Sequence, residues 1–256
     1  MKIGVCTGNI PENIEIIKQS GFDFAELNCK AVAASSKQEL DRIMKIDFNI
    51  LSANCFIDHK VVGSERDDNL IKDYVETMMN KANYIGIKKT VFGSSGARKV
   101  PGYMTREEAR SQVVSFLGDI VAPIADKYDI DVAIEPLRFG ECNCINTISD
   151  GAEIANRVNH PRIKLLADCF HMFDNKESFD ILPEYSGLLI HAHTSRPYPP
   201  DGSDNRIFPK TNDGFNQADF INQIKASGVD SCSVEARAFD FKADVSKAYE
   251  VMKQFR

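Results

Sequence analysis

The chain has 256 residues, 43% hydrophobic and 27% charged, with a net charge of −6 and a pI near 5.5. That length suits one α/β barrel of about 250 residues, and the apolar share can fill a sizeable core. The acidic balance argues against a broad phosphate-backbone binder, which needs a basic face.

Alternating short apolar runs and longer amphipathic ones fill the chain from end to end. Strands are expected over 2–6, 22–27, 49–53, 88–92, 131–135, 163–168, 188–193 and 231–235. Runs such as Ile163-Lys164-Leu165-Leu166-Ala167 suit strands buried on both faces, as in a parallel sheet. The first helix is expected over 11–20, where Ile14, Ile16 and Ile17 supply the apolar face and Pro11 fits a first-turn position. The longest helices are expected over 67–84 and 105–128. Thr105 and Glu108 have the spacing of a capping box. Gly21, Gly86 and Gly228 stand where helices end before the next strand. Eight strand-then-helix repeats predict a single (β/α)8 TIM barrel with eight parallel strands. The longest irregular stretch, 194–214, holds the turn residues Pro199-Pro200-Asp201-Gly202, and its length predicts a functional loop lying over the site.

The seven cysteines are scattered and odd in number, which suggests free thiols in a reducing compartment. Cys142 and Cys144 are two apart, and no second pair has zinc-finger spacing. No secretory pattern is read at the N-terminus, and no apolar run approaches the roughly 20 residues of a membrane span. The expectation is a soluble, cytoplasmic protein with neither membrane nor nucleic-acid partner. Exposed barrel helices leave a homo-oligomer open.

Four consecutive strand candidates end in a metal-ligand residue: Glu135, Asp168, His193 and Glu235. Barrel active sites occupy the C-terminal ends of the strands. Three carboxylates gathered there would repel, at about 4 kcal/mol per pair 4 Å apart for an effective dielectric near 20. Either their pKa values rise or a cation neutralises them, and a cation accounts for the whole set. Three hard oxygens and one imidazole suit one Mn²⁺, with Mg²⁺, Co²⁺ or Zn²⁺ as alternatives. His191 and His193 are two apart and point the same way; His193, the last residue of its strand, is chosen.

A second ring of candidates surrounds this set. His171 and Glu141 would each hydrogen-bond a sugar hydroxyl, against a packed imidazole and a loop salt bridge as the plainer readings. Arg98 closes Gly93-Ser94-Ser95-Gly96-Ala97-Arg98, where it would meet an anion or a substrate oxygen. Arg196 and Arg237 are weaker candidates. Glu26 would face either the substrate or solvent, and Cys169 is read as an unreactive thiol.

Taken together these segments resemble the sugar isomerase/epimerase branch of the xylose isomerase-like barrel superfamily. The likeness runs through Val91–Arg98, Ala133-Ile134-Glu135-Pro136-Leu137 with Ile145-Asn146-Thr147, Leu165-Leu166-Ala167-Asp168-Cys169-Phe170-His171-Met172, and His191-Ala192-His193. It implies one barrel domain over 1–256, with Glu135, Asp168, His193 and Glu235 at the metal positions. Glu141 and His171 match positions that hold substrate oxygens in ketose 3-epimerases. The stretch after His193 is spaced differently from the family, which leaves the arginine there unassigned.

The expected activity is isomerisation or epimerisation of a ketose or sugar phosphate. A divalent ion would stabilise the enediolate, and Glu135 and Glu235 would remove and return the proton. An inosose-type dehydratase on the same site is one alternative. An abasic-site endonuclease-like phosphodiester hydrolase is another, weakened by the acidic pI and by strands three and four ending in Ala53-Asn54 and Phe92-Gly93.

Overall fold

A computed structural model describes residues 1–198 and 205–256. Eight strands close into a parallel barrel: β1 (Lys2–Cys6), β2 (Phe24–Asn28), β3 (Ile50–Asn54), β4 (Lys89–Phe92), β5 (Asp131–Ile134), β6 (Ile163–Asp168), β7 (Leu189–Thr194) and β10 (Ser231–Val234). Each pairs with its sequence neighbours, and β10 closes the ring against β1 through Lys2↔Ser231 to Val5↔Val234. The eight expected strands are these eight, with edges moved by one or two residues.

The strand period of two separates two faces. Ile3, Val5, Ala25, Leu27, Val132, Ile134, Leu165, Ala167, Cys232 and Val234 join the core formed with the helices. That core is completed by residues such as Ile14 and Ile17 on α1 (Pro11–Ser20), and Val75, Met78 and Met79 on α4 (Asp68–Tyr84). The opposite face lines the barrel interior. There Val91, Ala133 and Leu166 form a small separate apolar cluster. The Phe24 ring lies across Gly4, where any Cβ would come within 2.3 Å of it.

Local signals act where expected. Gly21 ends α1 in the left-handed region at φ 99°, which glycine adopts without penalty. Thr105 and Glu108 form the reciprocal capping box of α5 (Arg106–Ser115). The single helix expected over 105–128 is instead α5, a π-helical turn over Phe116–Val121, and α6 (Ala122–Tyr128). Pro123 carries no N–H to continue the ladder, and the Ala122 N–H reaches back five residues to the Leu117 carbonyl.

The segment expected to be irregular carries a short antiparallel hairpin. Its strands are β8 (Arg196–Pro197) and β9 (Arg206–Ile207). Ile207 also bridges Arg237, beyond the eighth barrel strand. The turn expected at Pro199-Pro200-Asp201-Gly202 lies outside the described residues. Among the described residues no helix is long and apolar enough to cross a membrane.

Candidate metal centre

At the C-terminal mouth of the barrel one atom each from Glu135, Asp168, His193 and Glu235 lies within 4.8 Å of the others. Glu135 and Glu235 follow β5 and β10 directly, Asp168 ends β6, and His193 sits one residue before the end of β7. His193 Nδ1 is 3.2 Å from Glu135 Oε1, 3.0 Å from Glu235 Oε2 and 3.8 Å from Asp168 Oδ2. The four residues expected to meet are therefore brought together.

Each side chain is held so that one donor atom faces the centre. Asp168 caps α8 (Cys169–Asp174): its Oδ1 accepts from the Phe170 N–H at 2.6 Å, which turns Oδ2 inward. Asn54 donates to Glu235 Oε1 at 2.7 Å, leaving Oε2 at the centre. Glu135 Oε2 lies against the backbone of Gly93, where an added Cβ would stand 1.8 Å from it. His193 turns Nε2 away, 2.9 Å from Glu26 Oε1.

The arrangement fits a divalent cation. Glu235 Oε2 is buried and among the described residues accepts no well-directed hydrogen bond, although His193 Nδ1 and Arg206 Nη2 approach it to 3.0 and 2.8 Å. Such an oxygen, ion-paired but without a directed donor, has lone pairs to offer a cation. Three carboxylate oxygens and one imidazole nitrogen are the donor set that hard or borderline divalent ions take.

The electrostatics describe a site short of positive charge. Burial, then the neighbouring Glu235 charge, pushes the Glu135 carboxyl up, against the pull of His193 and His171. Burial would raise Glu235 too, but Arg206 and His193 hold it well below the usual carboxylate range. Burial would lower His193, yet Glu26 and Glu235 hold it well above its ordinary value. The structure thus draws a proton and a guanidinium toward the carboxylates.

That guanidinium was missed by sequence reasoning. Arg206, on β9, donates to Asp168 Oδ2 at 2.5 Å, pairs with Glu235 Oε2 and stacks on Phe170 at 5.3 Å. No motif marks it; the hairpin pairing and the bridge to Arg237 are what carry it inward.

Beside the centre lies a cavity of about 260 Å³ whose lining includes Asn54, Ser94, Ser95, Glu141, His171 and Arg206. Glu141 lines it while pairing with Arg138 Nε at 2.7 Å, so both readings of that residue apply. His171 is buried, with Nε2 3.9 Å from Glu135 Oε1, and its Nδ1 has no hydrogen-bond partner among the described residues.

Three expectations are corrected. Arg98 is fully buried and does not line the cavity: it donates to the carbonyls of Phe92 at 2.9 Å and Glu135 at 2.5 Å, so it braces the ligand strand. Arg196 spends its guanidinium on the carbonyls of Pro197, Tyr198 and Asp213, folding its own loop, because a guanidinium this close to turn carbonyls satisfies them first. Glu26 faces neither cavity nor solvent; it is wholly buried inside the barrel beneath His193. Arg237 bridges the hairpin and lies over Phe239. Burial pushes the Cys169 thiol far up, as an unreactive thiol requires.

Known proteins match this chain at the level of the fold. A probable ketose 3-epimerase of Synechocystis sp. is 34% identical over 91 residues, which is 34% of this chain and 30% of that protein. The chain thus spans under a third of that curated relative. A crystal structure of 3-keto-D-glucoside 4-epimerase from E. coli superimposes with a TM-score of 0.81 at 19% identity, covering 99% of both chains. The structure of the IOLI protein with a binding zinc atom gives 0.78 at 19% identity, covering 100% of this chain and 98% of that one. A family model matches residues 14–255, and the chain belongs to the family of xylose isomerase-like TIM barrels.

Proposed function

We propose that this protein is an isomerase, a divalent-cation-dependent epimerase or aldose–ketose isomerase acting on a small ketose. The observation that carries the reading is the convergence of Glu135 Oε1, Asp168 Oδ2, His193 Nδ1 and Glu235 Oε2 beside a cavity of about 260 Å³ that Asn54, Ser94, Glu141 and His171 help to line. The names of the matched relatives, a ketose 3-epimerase and a keto-glucoside epimerase, support it.

The four donors would hold one ion, Mn²⁺ first among Mg²⁺, Co²⁺ and Zn²⁺; the zinc of the IOLI neighbour supports a divalent ion. Such an ion supplies positive charge beside the oxygens of an enediolate. The chain's own groups do the rest. Glu135 and Glu235 reach the centre from β5 and β10, so one removes the proton alpha to the carbonyl and the other returns it. Return from the opposite face inverts the carbon; return to the adjacent carbon gives the aldose. Glu141 and His171 would hold sugar hydroxyls from the cavity wall.

An unphosphorylated sugar fits better than a sugar phosphate. Among the described residues lining the cavity the cations are Lys30 and Arg206. Lys30 pairs with Asp58 at 3.0 Å, and Arg206 with Asp168 and Glu235. A phosphate dianion would find these charges already matched and Glu141 close by.

The test is incubation of Mn²⁺-loaded protein with a panel of free ketoses and ketose phosphates in D₂O. Deuterium entering one carbon of one sugar identifies substrate and reaction. Loss of water from the product would identify the dehydratase instead. No exchange with any sugar, together with about three ions bound per chain, would replace the proposal with the phosphodiester hydrolase.

A further inference from the structure

Beneath the metal centre the barrel interior is polar, and proton transfer as assigned above makes no use of it. Barrel interiors are usually filled by Val, Ile and Leu. Here Glu26, Ser52, His191, His193, Ser231 and Ser233 are all fully buried. Glu26 is their hub. Its Oε1 lies 2.9 Å from His193 Nε2. Its Oε2 lies 2.7 Å from His191 Nε2 and accepts from Ser52 Oγ at 2.8 Å and Ser233 Oγ at 2.6 Å. His191 is held in turn, with Nδ1 2.9 Å from Ser231 Oγ. Three strands, β3, β7 and β10, thus converge on the one carboxylate that β2 supplies.

A neutral imidazole carries its hydrogen on one ring nitrogen and a lone pair on the other. The group facing each nitrogen decides which. His193 Nε2 meets a carboxylate oxygen, an acceptor that takes an N–H; among the described residues the other hydrogen-bonding atom at this nitrogen is Cys6 Sγ at 3.9 Å. The hydrogen is therefore held on Nε2. The Nδ1 lone pair then faces Glu135, Asp168 and Glu235, where a cation belongs. Ser52, Ser233 and His191 keep the Glu26 carboxylate from swinging away.

We infer that Glu26, gripped by Ser52, Ser233 and His191, is a positioning residue that locks His193 in its Nδ1-ligating tautomer and so sets the affinity of the centre for its cation. Groups that orient a metal-binding histidine from behind typically change metal affinity by about 10–100-fold when removed. The inference rests on the metal-centre reading given above.

The experiment uses the full chain, stripped by a chelator and titrated with Co²⁺, read by calorimetry and by visible absorption. Wild-type protein should bind one Co²⁺ with the absorption of a nitrogen- and oxygen-ligated ion. Glu26→Gln, similar in volume, should weaken Co²⁺ binding by about 10–100-fold and alter the absorption bands. An unchanged Kd and spectrum in Glu26→Gln, even with a lowered Tm, would reduce Glu26 to a structural role and overturn the inference while leaving the centre intact. Failure of the wild type to bind Co²⁺ would overturn the centre itself. If Glu26→Gln does not fold, Ser233→Ala removes the 2.6 Å donor to Glu26 and should weaken binding several-fold; a wild-type Kd and spectrum there overturns the inference equally.

Discussion

Gly93→Ala should lower activity by about 10²-fold while leaving the barrel folded. An alanine Cβ at 93 would stand 1.8 Å from Glu135 Oε2 and 3.0 Å from its Cδ. To reach ordinary contact at 3.4 Å the oxygen must withdraw by about 1.6 Å. The backbone cannot yield instead, because Arg98 ties the carbonyls of Phe92 and Glu135 together. The carboxylate therefore swings, and Oε1 leaves its place 3.2 Å from His193 Nδ1. A displacement of about 1 Å at a reacting group costs on the order of 10²-fold in rate. Folding should be little changed, within about 1 kcal/mol, since the backbone at 93 is not in the left-handed region and alanine restricts the unfolded chain. The assays are kcat/KM with the responsive ketose, Mn²⁺ titration by calorimetry, and thermal unfolding. A variant with wild-type metal affinity and turnover would show that Glu135 is not a ligand, and the reasoning from close packing at Gly93 would fail.

Other outcomes follow from the same geometry. Glu235→Gln keeps the bond from Asn54 within reach but removes the charge; kcat should fall by at least about 10²-fold, and near-wild-type turnover would remove Glu235 from the chemistry. Arg206→Met leaves Asp168 and Glu235 without their guanidinium; the cation-free protein should lose about 3 kcal/mol, and Mn²⁺ should restore more stability than it adds to the wild type, as read by Tm with and without the ion. His193 governs the pH dependence. Burial opposes its charge, but Glu26 and Glu235 raise its pKa in the cation-free protein. The protonated form then adds stability in full below the unfolded value of about 6.5, and this is lost as pH rises through the folded value. A cation must displace that proton, so its affinity should strengthen with pH over the same window, by up to about tenfold per unit. The gain in Tm on adding Mn²⁺ should widen from pH 6.5 upward; a gain independent of pH would mean that His193 is not a ligand.

The barrel and the four converging residues are legible along the chain because both are periodic. A strand shows its faces every second residue, and a parallel barrel puts the last residue of every strand at one mouth. Glu135, Asp168, His193 and Glu235 stand at such ends, so their meeting follows from order alone. The identity of the facing atoms does not. Arg206 reaches Asp168 only through a two-residue hairpin pairing within an otherwise patternless loop. Arg98, an arginine in a glycine-rich loop, looks like a substrate group until its guanidinium is seen under the loop on two carbonyls. Glu26, His191, Ser52 and Ser233 are spread over 208 positions, and only barrel closure makes them neighbours. Local patterning, a property of adjacent residues, determined which elements form and where their ends lie. Which side chains neutralise, brace or orient one another was decided by contacts across the closed ring, where burial makes each unpaired polar atom costly and so selects its partner.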